Sequence, residues 1–568
     1  MFTFLKKISH ITKKEKNFSI KISSLTKKVS VIDDYIIVND DKIKVYDRIC
    51  DHMGGKIIST NEEHKCPIHN WKFDPIKGSY SNGVKKKEKR YSVKNGTIII
   101  KKNKEIPNIS KINSSTNFKI RFFNHAFLLI QTKKFKFATD PWAIGPAFNT
   151  GWWLKKETKS DWIDELNSCS FIYISHNHPD HLHPITLSKI DKNIPIIVPN
   201  FLSDSTGKYM ESLGFKNVIR LEFLKEYRFK KTNLILCMLK SGDFREDSGI
   251  YFSIGNFKFL IDVDSNMINF NKLPQVDFYA SSFAGGASGY PLVFENYSKE
   301  EKNKIIERKV NFSRSRKIQM IKKINPSYFL PYAGFFEEKL VRDIEIKKLN
   351  KKNTIQNYIL NLKNSKTKLL NVDDYDEFYF KKNKLTEQKN NKSNIYKDLL
   401  PEQYLDYYKK NFDEVDIEYI KKYFIKSGFC DNLILYISLT NDDFSSCEEN
   451  FEINFSTKNI KFESLKVIDI KKIKKKKLNK VLYLKCRKES FLNTIYNKAP
   501  WEDLSIGFQI KVLRFPNEYN SKFWHYFTNE YITKKNIRFS SDCSKCEAIT
   551  TYIDNLILKP NTSLVKNS

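Results

Sequence analysis

Two short loops constrain this chain more than anything else in it. They are Cys50-Asp51-His52 and Cys66-Pro67-Ile68-His69, separated by the thirteen residues Met53 to Lys65. Each loop holds one thiolate and one imidazole. Two thiolates can hold one iron of a [2Fe–2S] cluster and two imidazoles the other, so each loop offers one ligand to each iron. Gly54-Gly55 follows the first pair, where backbone must pass close to a cluster. Asn70-Trp71-Lys72-Phe73-Asp74 follows the second, and Lys77-Gly78 then makes a turn. A zinc Cys2His2 site is the rival reading. Such a site usually sets two Cys in one knuckle and two His in the other, whereas both knuckles here are mixed.

Ligand types, their order, the double glycine and the Trp-x-Phe-Asp tail together resemble a Rieske domain, with a slightly short spacer. The resemblance implies a [2Fe–2S] cluster on Cys50, His52, Cys66 and His69. Such a cluster moves one electron at a time, so the chain needs an electron acceptor.

At 568 residues, two to four domains are expected. No apolar run reaches about 18 residues, so no membrane span is expected. The start, Met1-Phe2-Thr3-Phe4-Leu5-Lys6-Lys7, lacks the apolar core and cleavage site of a signal peptide, which predicts a cytoplasmic protein. Nine Cys in so long a chain make no disulfide framework. Cys169, Cys237, Cys430, Cys447 and Cys486 are scattered, and Cys543-x-x-Cys546 has no second CxxC to complete a metal site. The net charge of +34 would suit nucleic acid. However, Lys, Asn, Ile, Phe and Tyr are abundant together, as an A/T-rich coding bias produces. The runs Lys85 to Lys87 and Lys474 to Lys477 therefore read as solvated faces, and no nucleic acid is expected. A positive field would still gather an anionic substrate or an acidic redox partner.

Three regions follow from the patterning. Residues 18–103 read as a small all-β domain, with a strand from Val31 to Val38 and a hairpin around Asn95-Gly96. Residues 104–117 read as a linker. Residues 118–380 alternate strands (Phe127 to Ile130, Phe171 to Ile174, Ile196 to Val198, Leu234 to Leu239, Phe257 to Val263, Phe278 to Ala280) with helical stretches. One helix spans Ser298 to Ile324, opened by a Ser298/Glu301 capping box and closed by Asn325-Pro326. Residues 380–396 are Lys/Asn-rich and read as a second linker. Residues 397–568 form an α+β domain with strands at Leu433 to Ile437, Phe451 to Phe455 and Val481 to Leu484.

The strand Phe171 to Ile174 runs into Ser175-His176-Asn177-His178-Pro179-Asp180-His181. Three imidazoles and a carboxylate within six residues at a strand end can fold round metal. This is similar to the His-x-His-x-Asp-His motif of the metallo-β-lactamase fold, a four-layer αββα sandwich. The resemblance implies that the first two His serve one metal and the Asp-His pair its neighbour, with Asp264 as the bridging carboxylate and Asp140 buttressing the site. Asn124-His125-Ala126 and Thr139-Asp140-Pro141-Trp142 also resemble that fold's opening strands. Yet of the ten His, none lies between His183 and His525, so the fold's later imidazole ligands are missing. Where one is expected the chain reads Ser241-Gly242-Asp243-Phe244-Arg245-Glu246-Asp247. The site must be richer in oxygen, or hold one metal with open positions. A 2-His-1-carboxylate set with vacancies suits non-haem Fe(II) and O2. One or two irons are expected in preference to zinc, which cannot accept an electron.

Longer stretches carry a further resemblance. They include Asp140-Pro141-Trp142, Gly145-Pro146-Ala147-Phe148, Gly151-Trp152-Trp153-Leu154, Phe283-Ala284-Gly285-Gly286-Ala287-Ser288-Gly289-Tyr290-Pro291, Pro331-Tyr332-Ala333-Gly334-Phe335-Phe336, Ile506-Gly507-Phe508-Gln509 and Phe523-Trp524-His525. Together they resemble the CMP-N-acetylneuraminate hydroxylase (CMP-sialic acid monooxygenase) family, from about residue 30 to 535. The family oxidises the N-acetyl methyl of CMP-N-acetylneuraminate to N-glycolyl, drawing electrons from cytochrome b5 and its reductase. The resemblance leads one to expect a His where Phe244 stands.

The expected protein is therefore a Rieske monooxygenase acting on CMP-N-acetylneuraminate or a related nucleotide sugar. Cys50, His52, Cys66 and His69 would relay electrons, and His176, His178, Asp180, His181 and Asp264 would hold the oxygen-activating metal. No Gly-x-Gly-x-x-Gly opens a βαβ unit, so the donor is external, a cytochrome b5-like protein or a ferredoxin with its reductase. Arg121, Lys155 and Lys156 could meet substrate anions, and Gly285-Gly286 could cradle phosphate or simply make a turn. Two other readings stay open. One is a phosphodiester or lactone hydrolase using metal-bound hydroxide, with the Rieske part as redox sensor. The other is an electron carrier with a degenerate sandwich.

Overall fold

The computed structural model describes residues 8–11, 17–48, 50, 57–60, 63–66, 71–81, 83, 85–101, 114–201, 203–240, 246–265, 268, 275–457, 459–470 and 480–528. His52, His69, Phe244, Cys543 and Cys546, the run Lys474 to Lys477 and most of the expected first linker lie outside them.

Two eight-stranded sheets form the centre of the molecule. The first runs, in spatial order, Val218–Leu221, Ile196–Pro199, Phe171–Tyr173, Lys136–Thr139, Phe127–Gln131, Phe118–Asn124, Glu377–Lys381 and Lys384–Lys389. The second runs Ile8–Ile11, Glu226–Phe229, Leu234–Lys240, Ser248–Ile254, Phe257–Ile261, Phe278–Ser281, Tyr328–Pro331 and Lys368–Leu369. Their inner faces share one apolar core, in which Phe137 and Phe171 of the first sheet lie among Phe252, Phe259 and Phe278 of the second. Period-2 side chains make such a face-to-face core natural. Trp162, Leu166, Leu187 and Met210 bring the helices Trp162–Asn167, Pro184–Ser188 and Ser205–Ser212 against the outer face of the first sheet. Ile318, Ile321, Ile355 and Tyr358 bring Lys299–Ile324 and Ile355–Leu362 against the second. The layers are therefore αββα, as the sequence led one to expect.

Among the described residues, the N-terminal region is all-β, built from small sheets of three, three and four strands. Residues Val31 to Val38 are not one strand. Asp33, at φ 52°, turns the chain, and Val29–Ile32 pairs back on Tyr35–Val38. The adjacent aspartates supply the turn, since Asp tolerates the left-handed region better than the flanking β-branched residues. The hairpin at Asn95-Gly96 forms as expected. Lys86 is not a solvated charge: its side chain is 1% exposed and sits 3.1 Å from Asp47.

The C-terminal region is α+β. Its five-stranded sheet runs Lys461–Ser464, Cys447–Asn454, Leu433–Thr440, Lys480–Arg487 and Ile510–Phe515. The segment read as a second linker instead contains Lys384–Lys389, an edge strand hairpinned to Glu377–Lys381 through Lys382 and Asn383, both at positive φ. Its Lys/Glu/Gln alternation is that of an exposed edge, which charged side chains keep from pairing further. The C-terminal region also shares a core with the sandwich. Trp142, Phe148 and Trp152 pack in one cluster with Trp501, Leu504, Phe508 and Phe523.

Candidate metal centres

In the N-terminal region, Cys50 and Cys66 are both buried and lie in one apolar cluster with Tyr46, Ile57, Trp71, Phe73 and Tyr80. The Cys66 backbone N–H donates to the Trp71 carbonyl at 2.9 Å. Two buried thiols under an aromatic wall, outside any disulfide, suit a cluster that needs thiolates and exclusion of water. The imidazoles expected beside them belong to residues outside the described set.

The second centre sits at the end of Phe171–Tyr173. The Ile174 N–H donates to the Ile197 carbonyl, holding the start of the loop on the sheet. His181 and Leu182 both donate from their backbone N–H to the His178 carbonyl, which folds the motif into a turn. His183 then caps helix Pro184–Ser188, its ring accepting from the Thr186 N–H. The loop is thus tied at both ends, and its imidazoles point to one place.

Three overlapping ligand groups result: His176, His178 and Asp247; His125, Asp180 and His181; and His176, His181 and Asp264. His176 Nε2 lies 2.9 Å from His178 Nδ1 and 4.0 Å from Asp247 Oδ1. Asp180 Oδ2 lies 3.1 Å from His125 Nε2 and 3.3 Å from His181 Nε2. Asp264 Oδ2 lies 3.5 Å from His181 Nε2. The structure thus brings together all five residues expected from the sequence, and adds His125 and Asp247.

His125 sits in the tight turn between Phe118–Asn124 and Phe127–Gln131, at φ 34°. Its place directly after a strand of the sheet that carries the His loop was the available signal. Asp247 ends the stretch 241–247, in which an imidazole was expected at Phe244, and directly precedes the strand Ser248–Ile254, so this stretch brings a carboxylate to the site. Asp140 accepts from the Ser175 N–H and Oγ–H, at 2.7 and 2.8 Å, and lies 3.1 Å from His181 Nδ1.

The residues fit metal. Among the described residues, His181 Nε2 and Asp180 Oδ1 are buried with no hydrogen-bond partner, an arrangement that is costly unless something else meets them. The electrostatics agree. Burial would raise Asp180, but the charge of His181 and the hydrogen bond from His125 outweigh it and hold the carboxyl well below its usual range. Asp264 is likewise held down to about 2, burial being overcome by His181. Burial would lower His178, yet Glu502 and Asp247 push it up to about 9, and a metal binding there would displace that proton. Carboxylates held ionised in a buried cluster attract a cation. The donor set, four His with three carboxylates, mixes imidazole and carboxylate and suits non-haem iron.

Not every cation proposed for substrate is available. Arg121 is buried and forks onto Asp161 at 2.7 and 2.8 Å, with Glu165 at 3.4 Å. Lys156 donates to the Val372 carbonyl and pairs with Asp373. Both brace the sandwich. Their spacing in sequence could not reveal partners so far along the chain.

Fold and centres define the class: an iron–sulfur protein in which a Rieske [2Fe–2S] domain, matched over residues 10–95, precedes an αββα metallo-β-lactamase-like sandwich. The chain resembles the CMP-N-acetylneuraminate hydroxylase family along nearly all its length. It is 26% identical over 535 residues to the cytidine monophosphate-N-acetylneuraminic acid hydroxylase of Mus musculus, covering 87% of this chain and 90% of that protein. The Xenopus laevis and Macaca mulatta proteins of that name are 27% and 28% identical, each over 87% of this chain and 88% of their own. Among solved structures, CmlA, a diiron β-hydroxylase from Streptomyces venezuelae, matches at 14% identity and TM-score 0.30, over 47% of this chain and 54% of its own. A score that low carries no argument, and the fold rests on the sheets themselves.

Proposed function

We propose that this chain is a Rieske monooxygenase that hydroxylates the N-acetyl group of CMP-N-acetylneuraminate, or of a closely related nucleotide sugar, to N-glycolyl. The observation that carries the reading is the pairing, in one chain, of a Rieske domain with a largely buried cluster of imidazoles and carboxylates. When bound, a [2Fe–2S] cluster supplies electrons singly and non-haem iron supplies O2 activation. Cys50, His52, Cys66 and His69 would hold the first. His176, His178 and Asp247 would hold one metal of the second centre, with Asp180, His181, Asp264 and His125 serving its neighbour.

The protein's own contribution is orientation and an apolar wall. Asp140 fixes the ring of His181, Ser175 faces His176, and Trp142 and Phe148 wall the site with apolar surface. A dry pocket protects a reactive oxidant and strengthens every charge interaction within it. No helix among the described residues is long and apolar enough to cross a membrane. We place the reaction in the cytoplasm, with electrons from a cytochrome b5-like protein or a ferredoxin and its reductase.

The test is aerobic turnover of CMP-N-acetylneuraminate by the iron-loaded protein with a reduced donor. The reading expects a product one oxygen atom heavier, modified at the N-acetyl group, and none when O2 or donor is withheld. Hydrolysis of a phosphodiester or lactone without O2 or reductant, by a zinc-containing protein, would overturn it.

A further inference from the structure

Three imidazoles of the sandwich centre are divided in the same way. Each turns one ring nitrogen toward the other ligands and the other nitrogen outward. His176 directs Nε2 inward, while its Nδ1 meets Ser175 Oγ at 2.8 Å. His181 directs Nε2 toward Asp180 and Asp264, while its Nδ1 meets Asp140 Oδ2 at 3.1 Å. His178 directs Nδ1 toward His176, and its Nε2 faces Glu502 Oε2 at 3.6 Å. Ser175 and Asp140 belong to the sandwich. Glu502 does not: it opens the short helix Glu502–Ile506 of the C-terminal region.

That helix is pressed onto the sandwich at points where a larger residue could not stand. A Cβ on Gly289 would lie 2.1 Å from the Ser505 carbonyl oxygen. One on Gly151 would lie 2.1 Å from the Gly507 oxygen, and one on Gly507 would lie 2.1 Å from the Phe148 oxygen. Trp152 Nε1 donates to the Ile506 carbonyl at 3.0 Å. On the other side, the Glu502 N–H donates to Thr528 Oγ1 at 3.1 Å, and the preceding Trp501 is fully buried, with its Nε1–H on the Tyr423 hydroxyl. Backbone-to-backbone contact at three glycines fixes where the Glu502 side chain can go.

We propose that Glu502 is a positioning residue for the metal centre, the outer carboxylate of His178, so that the C-terminal region completes a site built on the sandwich. The proposal rests on the reading of this centre as a metal site. A carboxylate on the outward nitrogen of a ligating imidazole fixes the tautomer and ring orientation and makes the inward nitrogen a better donor. Removing such a partner typically costs about 10–100-fold in metal affinity or activity.

The experiment uses the full-length chain, stripped of metal and titrated with Co(II), read by affinity and by the ligand-field spectrum. Glu502→Ala should weaken one Co(II) site about 10–100-fold and shift its absorption bands, with the melting temperature little changed. Glu502→Gln, which keeps an acceptor oxygen for the imidazole N–H, should recover most of the affinity. If the alanine variant does not fold, Glu502→Met, of similar length but without an acceptor, replaces it. Wild-type affinity and spectrum in the Ala or Met variant would overturn this inference alone. A wild-type protein that binds no Co(II) at the centre would overturn the metal reading beneath it.

Discussion

Asp247 and His125 carry most of what the sandwich centre adds to the sequence motif. His176, His178, Asp180 and His181 were legible because they lie within one loop, and Asp264 because it follows a strand where the resemblance places a bridging carboxylate. Asp247 was visible only as a carboxylate in a stretch expected to supply an imidazole. His125 and Glu502 lie far along the chain from the motif, and only folding brings them to it. With His176, His178 and Asp247 holding one metal and Asp180, His181, Asp264 and His125 the other, Asp247→Ala should lower metal content by one equivalent and leave the site of Asp180 occupied. His125→Ala should weaken the other. Elemental analysis of both variants, with wild type alongside, checks this.

His183 makes a separate prediction at this scale. Burial lowers its pKa to about 4, and the neutral ring is the one that accepts from Thr186. A base whose folded pKa lies below its unfolded value of about 6.5 favours the fold in its neutral form. That stability is present above pH 6.5 and is lost as pH falls towards 4. Over that window His183 should cost up to ~3 kcal/mol, and His183→Gln should flatten the fall. Denaturant melts between pH 7 and 4 measure the difference in slope.

At the scale of elements, the helix Lys299–Ile324 and most of the sandwich strands could be read because their signals are local: a capping box, an Asn-Pro stop, runs of β-branched and aromatic residues. What misled was also local. Asp33-Asp34 broke a strand that its hydrophobic flanks appeared to continue, and the Lys/Asn-rich segment after residue 380 formed an edge strand whose polarity reads as a linker. The contact of Glu502–Ile506 with the sandwich had no local signal beyond three glycines whose role only the packing reveals. Gly507→Ala should force that helix off the sandwich. Overpacking of this kind costs about 1–3 kcal/mol, more here because the opposing atom is backbone. The variant should also lose Co(II) affinity in parallel with Glu502→Ala. A variant that is destabilised while keeping full affinity would separate docking of the helix from the metal centre.

Across the whole molecule, sandwich and C-terminal region are joined by charge as well as by their shared core. Arg342 binds Asp442 and Glu489 at 2.5 and 2.6 Å, and Thr150 and Gln509 at 2.8 and 3.1 Å. Arg487 answers from the other side with Asp343 at 2.8 Å. Breaking one partner of a buried network leaves a charge uncompensated, typically at a cost of about 3–5 kcal/mol. Arg342→Ala should therefore lower the unfolding midpoint strongly in a denaturant titration, and the metal centre should weaken with it. Sequence showed that three regions follow one another. It could not show that the last reaches into the centre of the second, because the contacts join residues far apart along the chain.

The proposed function requires an electron to leave the Rieske cluster for the sandwich centre when O2 and nucleotide sugar are present. The direct measurement is a single turnover. The cluster is reduced stoichiometrically, excess reductant is removed, and O2 is added with or without CMP-N-acetylneuraminate while the EPR signal of the reduced cluster is followed. Substrate should speed loss of the signal, and hydroxylated sugar should appear in proportion to the electrons consumed. A reduced cluster that persists in the presence of O2 and substrate, or that oxidises without product, would contradict it.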